Sequence, residues 1–334
     1  MTSARWPGST ARIEARPEKR RDQGLIEQVR IPSTPPAART TSPALVLHGG
    51  AGSADAHSAV CAAAGQAPFA ALAAGGDPLD AAVAATAALE DSGCFNAGAG
   101  SSLRMDGRTI EMDAGVMDTH GRLGAVAALR DAPNPVRVAR GVADTPHWLL
   151  AGDGARRFAG RLGLLAPFAP GARARERYRR SLQRLVRSPA DAVRPYEDFW
   201  NFETPWQQVL DAVGTGTVGA VARSVDGHFA VATSTGGSMP QLLGRVGDTP
   251  VAGCGYYAGV AGAVAATGVG EHIVGTLLAV TVYRWIEQGT ALGEALERGL
   301  SLIPPHVDVG LIGVTGTEAC ARARTSMASA ILGG

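Results

Sequence analysis

Along this chain, short apolar runs alternate with glycine-rich turns, and longer runs with helical spacing fall between them. Ala44 to His48 predicts a buried strand running into Gly49-Gly50-Ala51-Gly52, where missing side chains let backbone amides approach a neighbour closely. Asp77-Pro78 opens a helix through Glu90. Asp77 suits the N-cap, Pro78 the first helical position, and Asp80 the positive end of the dipole. Met112 to Met117 and Leu123 to Leu129 read as strands joined around Thr119-His120-Gly121. Asn134-Pro135 starts another helix, and Trp148 to Leu150 a further short element. Val218 to Val225, an Asp226-Gly227 turn and His228 to Ser234 form a hairpin. Beyond it, Thr249 to Ala258 and Val260 to Ala266 are strand candidates, Glu271 to Gln288 and Ala291 to Leu300 carry helical spacing, and Leu311 to Thr315 returns to strand. The strands form two groups with helices outside each. Two apolar sheets facing one another, each covered by helices, would bury such strands on both faces.

Composition narrows the function. The 334 residues are 46% hydrophobic with 44 glycines and few aromatics, so small side chains do most of the packing. A net charge of +1 gives no overall field to attract nucleic acid or an anionic membrane. The arginines between Arg173 and Arg187 read as a solvated helix or linker, within a stretch from about 161 to 213 that resembles a mobile linker. Cys61, Cys94, Cys254 and Cys320 stand far apart, which suits reduced thiols, and the histidines show no metal-ligand spacing. Lys19 is the only lysine and lies in a tail, which leaves no candidate for a Schiff base in the folded body. Residues 1 to 42 read as a disordered leader without the apolar region of a secretory signal, and the expected location is cytoplasmic. The run Ile273 to Val282 is too short to span a bilayer.

Gly216-Thr217-Val218-Gly219 carries the most specific chemistry, a hydroxyl nucleophile behind a glycine at the start of an apolar strand. A cut between Gly216 and Thr217 would free an α-amino group, and an amine with a pKa near ~8 can serve as the base for its own hydroxyl. The same stretch, from Gly214, also fits the spacing of a dinucleotide-binding turn. That motif needs a helix directly after it and a carboxylate some 20 residues on, and a hairpin follows instead.

In order along the chain, Leu47-His48-Gly49-Gly50-Ala51-Gly52, Phe95-Asn96-Ala97-Gly98, Met112-Asp113-Ala114-Gly115-Val116-Met117-Asp118, Gly216-Thr217-Val218-Gly219, Thr233-Ser234-Thr235-Gly236-Gly237, Gly244-Arg245-Val246-Gly247-Asp248-Thr249 and Ala266-Thr267-Gly268-Val269-Gly270-Glu271 resemble the plant-type asparaginases, or isoaspartyl peptidases, among the N-terminal-nucleophile hydrolases. The resemblance covers about Leu45 to Thr315. It implies an α+β fold, a four-layer αββα sandwich, made as one precursor and cut into an α chain of residues 1–216 and a β chain of residues 217–334 that assemble as (αβ)2 dimers.

On that resemblance Thr217 attacks first the Gly216 carbonyl and later the side-chain amide of asparagine or the β-peptide bond of an isoaspartyl dipeptide. Arg245 would grip the substrate carboxylate in a two-pronged contact, and Asp248 the ammonium group. Thr267 and Gly268 would supply the oxyanion hole, Gly270 a wall of the substrate site, Thr235 a hydrogen bond to Thr217, and Asn96 a water-mediated contact on the nucleophile's other side. His48 reads as structural. Plainer roles compete for several of these: a surface turn pair for Arg245 and Asp248, a strand-end hydroxyl for Thr235, and a helix cap for Thr267-Gly268. No cofactor is expected. A structural sodium near Leu89, Glu90, Phe95 and Ala97, held by main-chain oxygens, accompanies the resemblance. Leu242-Leu243, Tyr256 and Val269 depart from the family pattern near the expected pocket, and the segment between Gly52 and Asp77 is short. A glycosylasparaginase-like hydrolase and a non-catalytic amino-acid binder are the alternatives.

Overall fold

The protein is described by a computed structural model over residues 41–166, 170–186, 198–203, 216–239 and 241–334. Strands β1 (Ala44–His48), β2 (Met112–Asp118), β3 (Leu123–Leu129), β4 (Leu149–Ala151), β5 (Thr217–Arg223), β6 (Phe229–Thr235) and β11 (Ser329–Gly333) form one sheet in the order β11-β1-β5-β6-β2-β3-β4. Strands β7 (Tyr256–Gly259), β8 (Gly262–Gly268), β9 (Val309–Thr315) and β10 (Ala319–Ala323) form a second, in the order β10-β9-β8-β7. Helices α1 (Ser58–Ala73), α2 (Pro78–Asp91), α3 (Pro135–Val142) and α4 (Gly152–Arg161) lie on the outer face of the larger sheet, and α5 (Ala172–Val186) follows them. Helices α6 (Gly270–Thr276), α7 (Leu278–Glu287) and α8 (Leu292–Ser301) cover the smaller one.

Alternation along the strands divides the core. Val218, Ala220 and Ala222 of β5 and Ala230 and Ala232 of β6 pack under the helices. Val221, Phe229 and Val231 point the other way, to meet Ala263, Ala265, Ile312 and Val314 of the second sheet. Thr217, Thr235 and Thr267 follow the inward parity, so their hydroxyls stand at one end of the gap between the sheets. Arg223, inward as well, closes the other end by donating to the carbonyls of Ser42 (2.7 Å) and Thr315 (2.5 Å).

The expected helix after Asp77 forms as read, with the Asp77 carboxylate accepting from the amides of Leu79 (2.8 Å) and Asp80 (3.1 Å). Both hairpins are present. Three expectations change. The strand expected over Thr249 to Ala258 shortens to β7, because the Asp248 carbonyl accepts from the amides of Val251 (2.9 Å) and Gly255 (3.2 Å) and folds the intervening residues into turns. The helix expected over Glu271 to Gln288 breaks at Leu277, whose φ is 47°. Amides at the start of α7 are satisfied across the fold instead, Ala279 by the Cys254 carbonyl (3.1 Å) and Val280 by that of Gly253 (3.0 Å). Tyr256 does not border the substrate site; its ring is fully buried between the sheets against Gly115.

Within the stretch read as a linker, residues 172–186 form α5, where Glu176 pairs with Arg179 and Arg180 along the helix. Most of 187–215 and all of the leader up to residue 40 lie outside the described residues. Among the described residues no helix is long and apolar enough to cross a membrane, and no group of three or more His, Cys, Asp or Glu side chains could hold a metal ion.

A Cβ on Gly115 would overlap the Tyr256 ring, whereas one on Gly154 meets nothing within 4 Å. Gly115→Ala is therefore expected to lower stability by roughly 1–3 kcal/mol, read from chemical denaturation, with Gly154→Ala as the near-neutral control.

Candidate active site

Thr217 opens β5 and is 5% exposed, directly opposite Thr235 in the β5–β6 register. The carbonyl of Gly216, on the bond before Thr217, accepts two hydrogen bonds: Asn96 Nδ2 donates at 2.8 Å and Thr235 Oγ1 at 3.0 Å. Both donors are fixed from behind. The Ser102 amide donates to Asn96 Oδ1 at 2.8 Å, Asn96 Nδ2 also donates to the Gly237 carbonyl, and the Gly237 amide donates to Thr235 Oγ1 at 3.0 Å. Two preset donors on one carbonyl favour charge developing on its oxygen. Thr235 was expected to hydrogen-bond Thr217 and Asn96 to order the nucleophile's other side through water; in the uncut chain both bond the preceding carbonyl directly. The Thr217 hydroxyl stands 3.5 Å from that of Thr249.

The loop after β1 presses on the same bond. Gly50 has φ +101°, and a Cβ there would stand 2.8 Å from the Thr217 carbonyl oxygen and 3.0 Å from its nitrogen. Only glycine lets the backbone pass so close. The Gly50 amide donates to His48 Nδ1 at 3.2 Å. Burial pushes the His48 imidazole down to about 3, against a contact with the Thr217 backbone, so the ring is neutral near pH 7 and holds the loop.

Gly216, Thr217, Thr235, Arg245, Asp248 and Gly268 line one small pocket. Gly270 forms its floor, since a Cβ there would lie 2.8 Å from Arg245 Nη2 and 2.9 Å from Asp248 Oδ1. Thr267 is fully buried beside it, and its hydroxyl accepts the Ala51 amide at 3.2 Å. The cap of α6 is Val269, which makes no side-chain cap bond, so the helix-cap reading of Thr267-Gly268 does not hold.

The sequence profile of the asparaginase family matches residues 41–332. The chain belongs to the asparaginase family. A plant-type L-asparaginase of Pyrobaculum calidifontis is 41% identical over 288 residues, covering 83% of this chain and 91% of that protein. The isoaspartyl peptidase/L-asparaginase of Rattus norvegicus is 38% identical over 274 residues (79% and 77%), and that of Danio rerio 40% over 285 residues (81% and 84%).

Several residues of this asparaginase-family site escaped sequence reasoning. Glu271 pairs with Arg245 through both oxygens at 2.8 Å, so Arg245 is oriented by Glu271 rather than by a surface pair with Asp248. Thr249 adjoins Asp248 within the Gly-Arg-Val-Gly-Asp-Thr block, and Glu271 adjoins Gly270, so the signal was adjacency to residues already singled out. Arg104 and Glu111 lie behind the pocket as a buried ion pair at 3.1 Å with no motif to mark them. In the loop read as a sodium site, the Leu89 carbonyl accepts the Ser92 hydroxyl (2.7 Å) and the Ala97 carbonyl the Gly100 amide (3.0 Å). The carbonyls of Glu90 and Phe95 pack directly against Gly98 and Gly100, where a Cβ would stand 2.7 and 1.9 Å from them. Main-chain oxygens are the hard donor type that a sodium ion takes.

Burial pushes the Asp248 carboxyl from its ordinary 3.8 up to about 7, with Arg245 opposing and Asp113 and Glu271 adding to the rise. Its Oδ2 has no hydrogen-bond partner among the described residues. Because this folded value stands above the unfolded one, the stability that protonated Asp248 contributes is complete below about pH 3.8 and is lost as pH rises through about 7. Asp248→Asn is expected to remove that part of the slope. In a Thr217→Ala background, melting temperatures followed from about pH 4 to about pH 8 should fall less for the Asn variant.

Proposed function

We propose that the protein is a self-processing threonine amidohydrolase, with the αββα sandwich of the N-terminal-nucleophile hydrolases, that hydrolyses L-asparagine to aspartate and ammonia and cleaves β-aspartyl dipeptides. The observation that carries this reading is the Gly216 carbonyl, held at 2.8 and 3.0 Å by Asn96 and Thr235 directly before a buried threonine. The names of the relatives supply the substrate class.

Self-cleavage begins when Thr217 Oγ adds to the Gly216 carbonyl carbon, and Asn96 Nδ2 and Thr235 Oγ1 take up the charge on its oxygen. The C–N bond breaks as the nitrogen gains a proton, leaving an ester between Gly216 and the Thr217 hydroxyl. Water opens this ester to a Gly216 carboxylate and restores the Thr217 hydroxyl beside the amine already freed by the C–N cleavage. The chain so divides into residues 1–216 and 217–334.

In the cut protein the amine takes the hydroxyl proton while Thr217 Oγ attacks the substrate side-chain carbonyl. Ammonia or an amino acid leaves with that proton, and water releases aspartate from the β-aspartyl ester. The Thr267 hydroxyl and Gly268 amide receive the oxyanion. Arg245, steadied by Glu271 on its Nε and Nη2 side, offers its remaining nitrogen, Nη1, to the substrate α-carboxylate. Asp248 meets the ammonium group, whose positive charge draws the carboxyl back to its ionised form. Carbonyls of Leu89, Glu90, Phe95 and Ala97 would hold a structural sodium that takes part in no bond-making step. Units of this kind pair as (αβ)2, and four cysteines that form no disulfide suit the reducing cytoplasm.

Intact mass after incubation tests the reading. The wild type is expected to give two fragments meeting at Gly216/Thr217 and to release ammonia from asparagine, while Thr217→Ala stays a single 34.1 kDa chain without turnover. An uncut, inactive wild type would refute it. Asn96→Ala should slow cleavage about 10²–10³-fold, as loss of one oxyanion donor does, read from the rate at which the precursor band disappears.

A further inference from the structure

Arg104 is among the largest fully buried side chains, and no step described above uses it. Its Nε donates to Glu111 Oε2 at 3.1 Å, its Nη2 to the Glu111 carbonyl at 3.1 Å, and its Nη1 to the Gly236 carbonyl at 3.5 Å. Glu111, 2% exposed, faces three ways. Its Oε1 accepts Arg130 Nη2 at 2.6 Å, and its Oε2 accepts both Arg104 and the Gly244 amide, the latter at 2.8 Å.

Those contacts end on two separate pieces of the site. Gly244 directly precedes Arg245. Gly236 directly follows Thr235, and its amide donates to the Asn96 carbonyl at 2.9 Å. A Cβ on Gly237 would stand 2.5 Å from Arg104 Nη1, so the guanidinium also backs the residue whose carbonyl holds Asn96. Burial alone would raise the Glu111 carboxyl, but Arg130, the Gly244 amide and Arg104 outweigh it and hold it below the ordinary range. Glu111 is therefore charged and able to hold all three donors at neutral pH.

A buried ion pair is weak evidence for stability, since apolar side chains of similar volume often serve as well. Apolar side chains could not accept the Gly244 amide or donate to the Gly236 carbonyl. What this pair supplies is direction. We infer that Glu111 and Arg104 are positioning residues that join the two halves of the site: Glu111 sets the turn presenting Arg245 to the substrate carboxylate, and Arg104 sets the strand end from which Thr235 and Asn96 polarise the Gly216 carbonyl. The inference rests on the function proposed above.

Arg104→Met and the double variant Arg104→Met/Glu111→Leu separate the two roles. In Arg104→Met, Glu111 keeps Arg130 and Gly244, so self-cleavage should slow about tenfold or more while KM for asparagine, once the chain is cut, stays within about twofold. The double variant replaces the pair by apolar volume and is expected to stay folded. Its KM should rise about tenfold or more with kcat changed less than about threefold, because the turn carrying Arg245 is no longer held. Wild-type cleavage and KM in a double variant that melts like the wild type would overturn the inference. Should the double variant not fold, wild-type cleavage in Arg104→Met alone would overturn it. Failure of the proposed function shows in the wild type itself, which would neither cut nor release ammonia, and the inference falls with it.

Discussion

Thr217, Thr235 and Thr267 face the space between the sheets because a strand sends alternate side chains to opposite faces. A shift of one residue in any of the three strands would turn its hydroxyl into the layer packed under helices. Apolar partners fix that register. Val218, Ala220 and Ala222 can only be buried on the helix side if Thr217, Gly219 and Val221 look inward, so the packing that stabilises β5 also aims its first side chain. The site occupies the end of the gap where the inward residues change from aliphatic to hydroxyl-bearing.

Burial then decides the chemistry of the groups that arrive there. His48 is held neutral and its Nδ1 accepts from the loop that crowds the Gly216–Thr217 bond. Asp248 is kept reluctant to ionise, while Glu111 remains charged because three donors surround it. Carboxylates and arginines within a small volume are thus sorted by their immediate partners, with Glu271 assigned to Arg245 and Glu111 shared by Arg104 and Arg130.

Where local pattern dominates, the sequence was readable. The N-cap at Asp77, the Asp226-Gly227 turn and the strand beginning at Thr217 stand where expected, and the residues marked from the motifs, Thr217, Thr235, Arg245, Asp248, Gly268 and Gly270, converge. What was not readable depends on contacts distant in sequence. Gly65 and Pro68 argue locally against the helix α1, yet it forms because Gly65 lets the helix approach Leu47 and Leu332. The break at Leu277 exists because carbonyls in the Gly253–Cys254 turn take over amides of the next helix. The bond from Thr235 to the Gly216 carbonyl, rather than to Thr217, follows from the register of β5 on β6, which no single motif records.

Strand β1 precedes Thr217 in the chain but lies between β5 and β11, which both come after it, and β2 is likewise zipped to β6. The two pieces left by a cut at Gly216 are therefore interlaced. Severing that bond opens no new sheet edge, and the core under the helices of the larger sheet, like the one between the sheets, draws on both pieces. The pieces could part only by breaking the larger sheet where β1 pairs with β11 and β5 and where β2 pairs with β6, and they would then face a bimolecular search to return. Persistence of a cut form would then be set by how slowly it unravels rather than by a reversible balance.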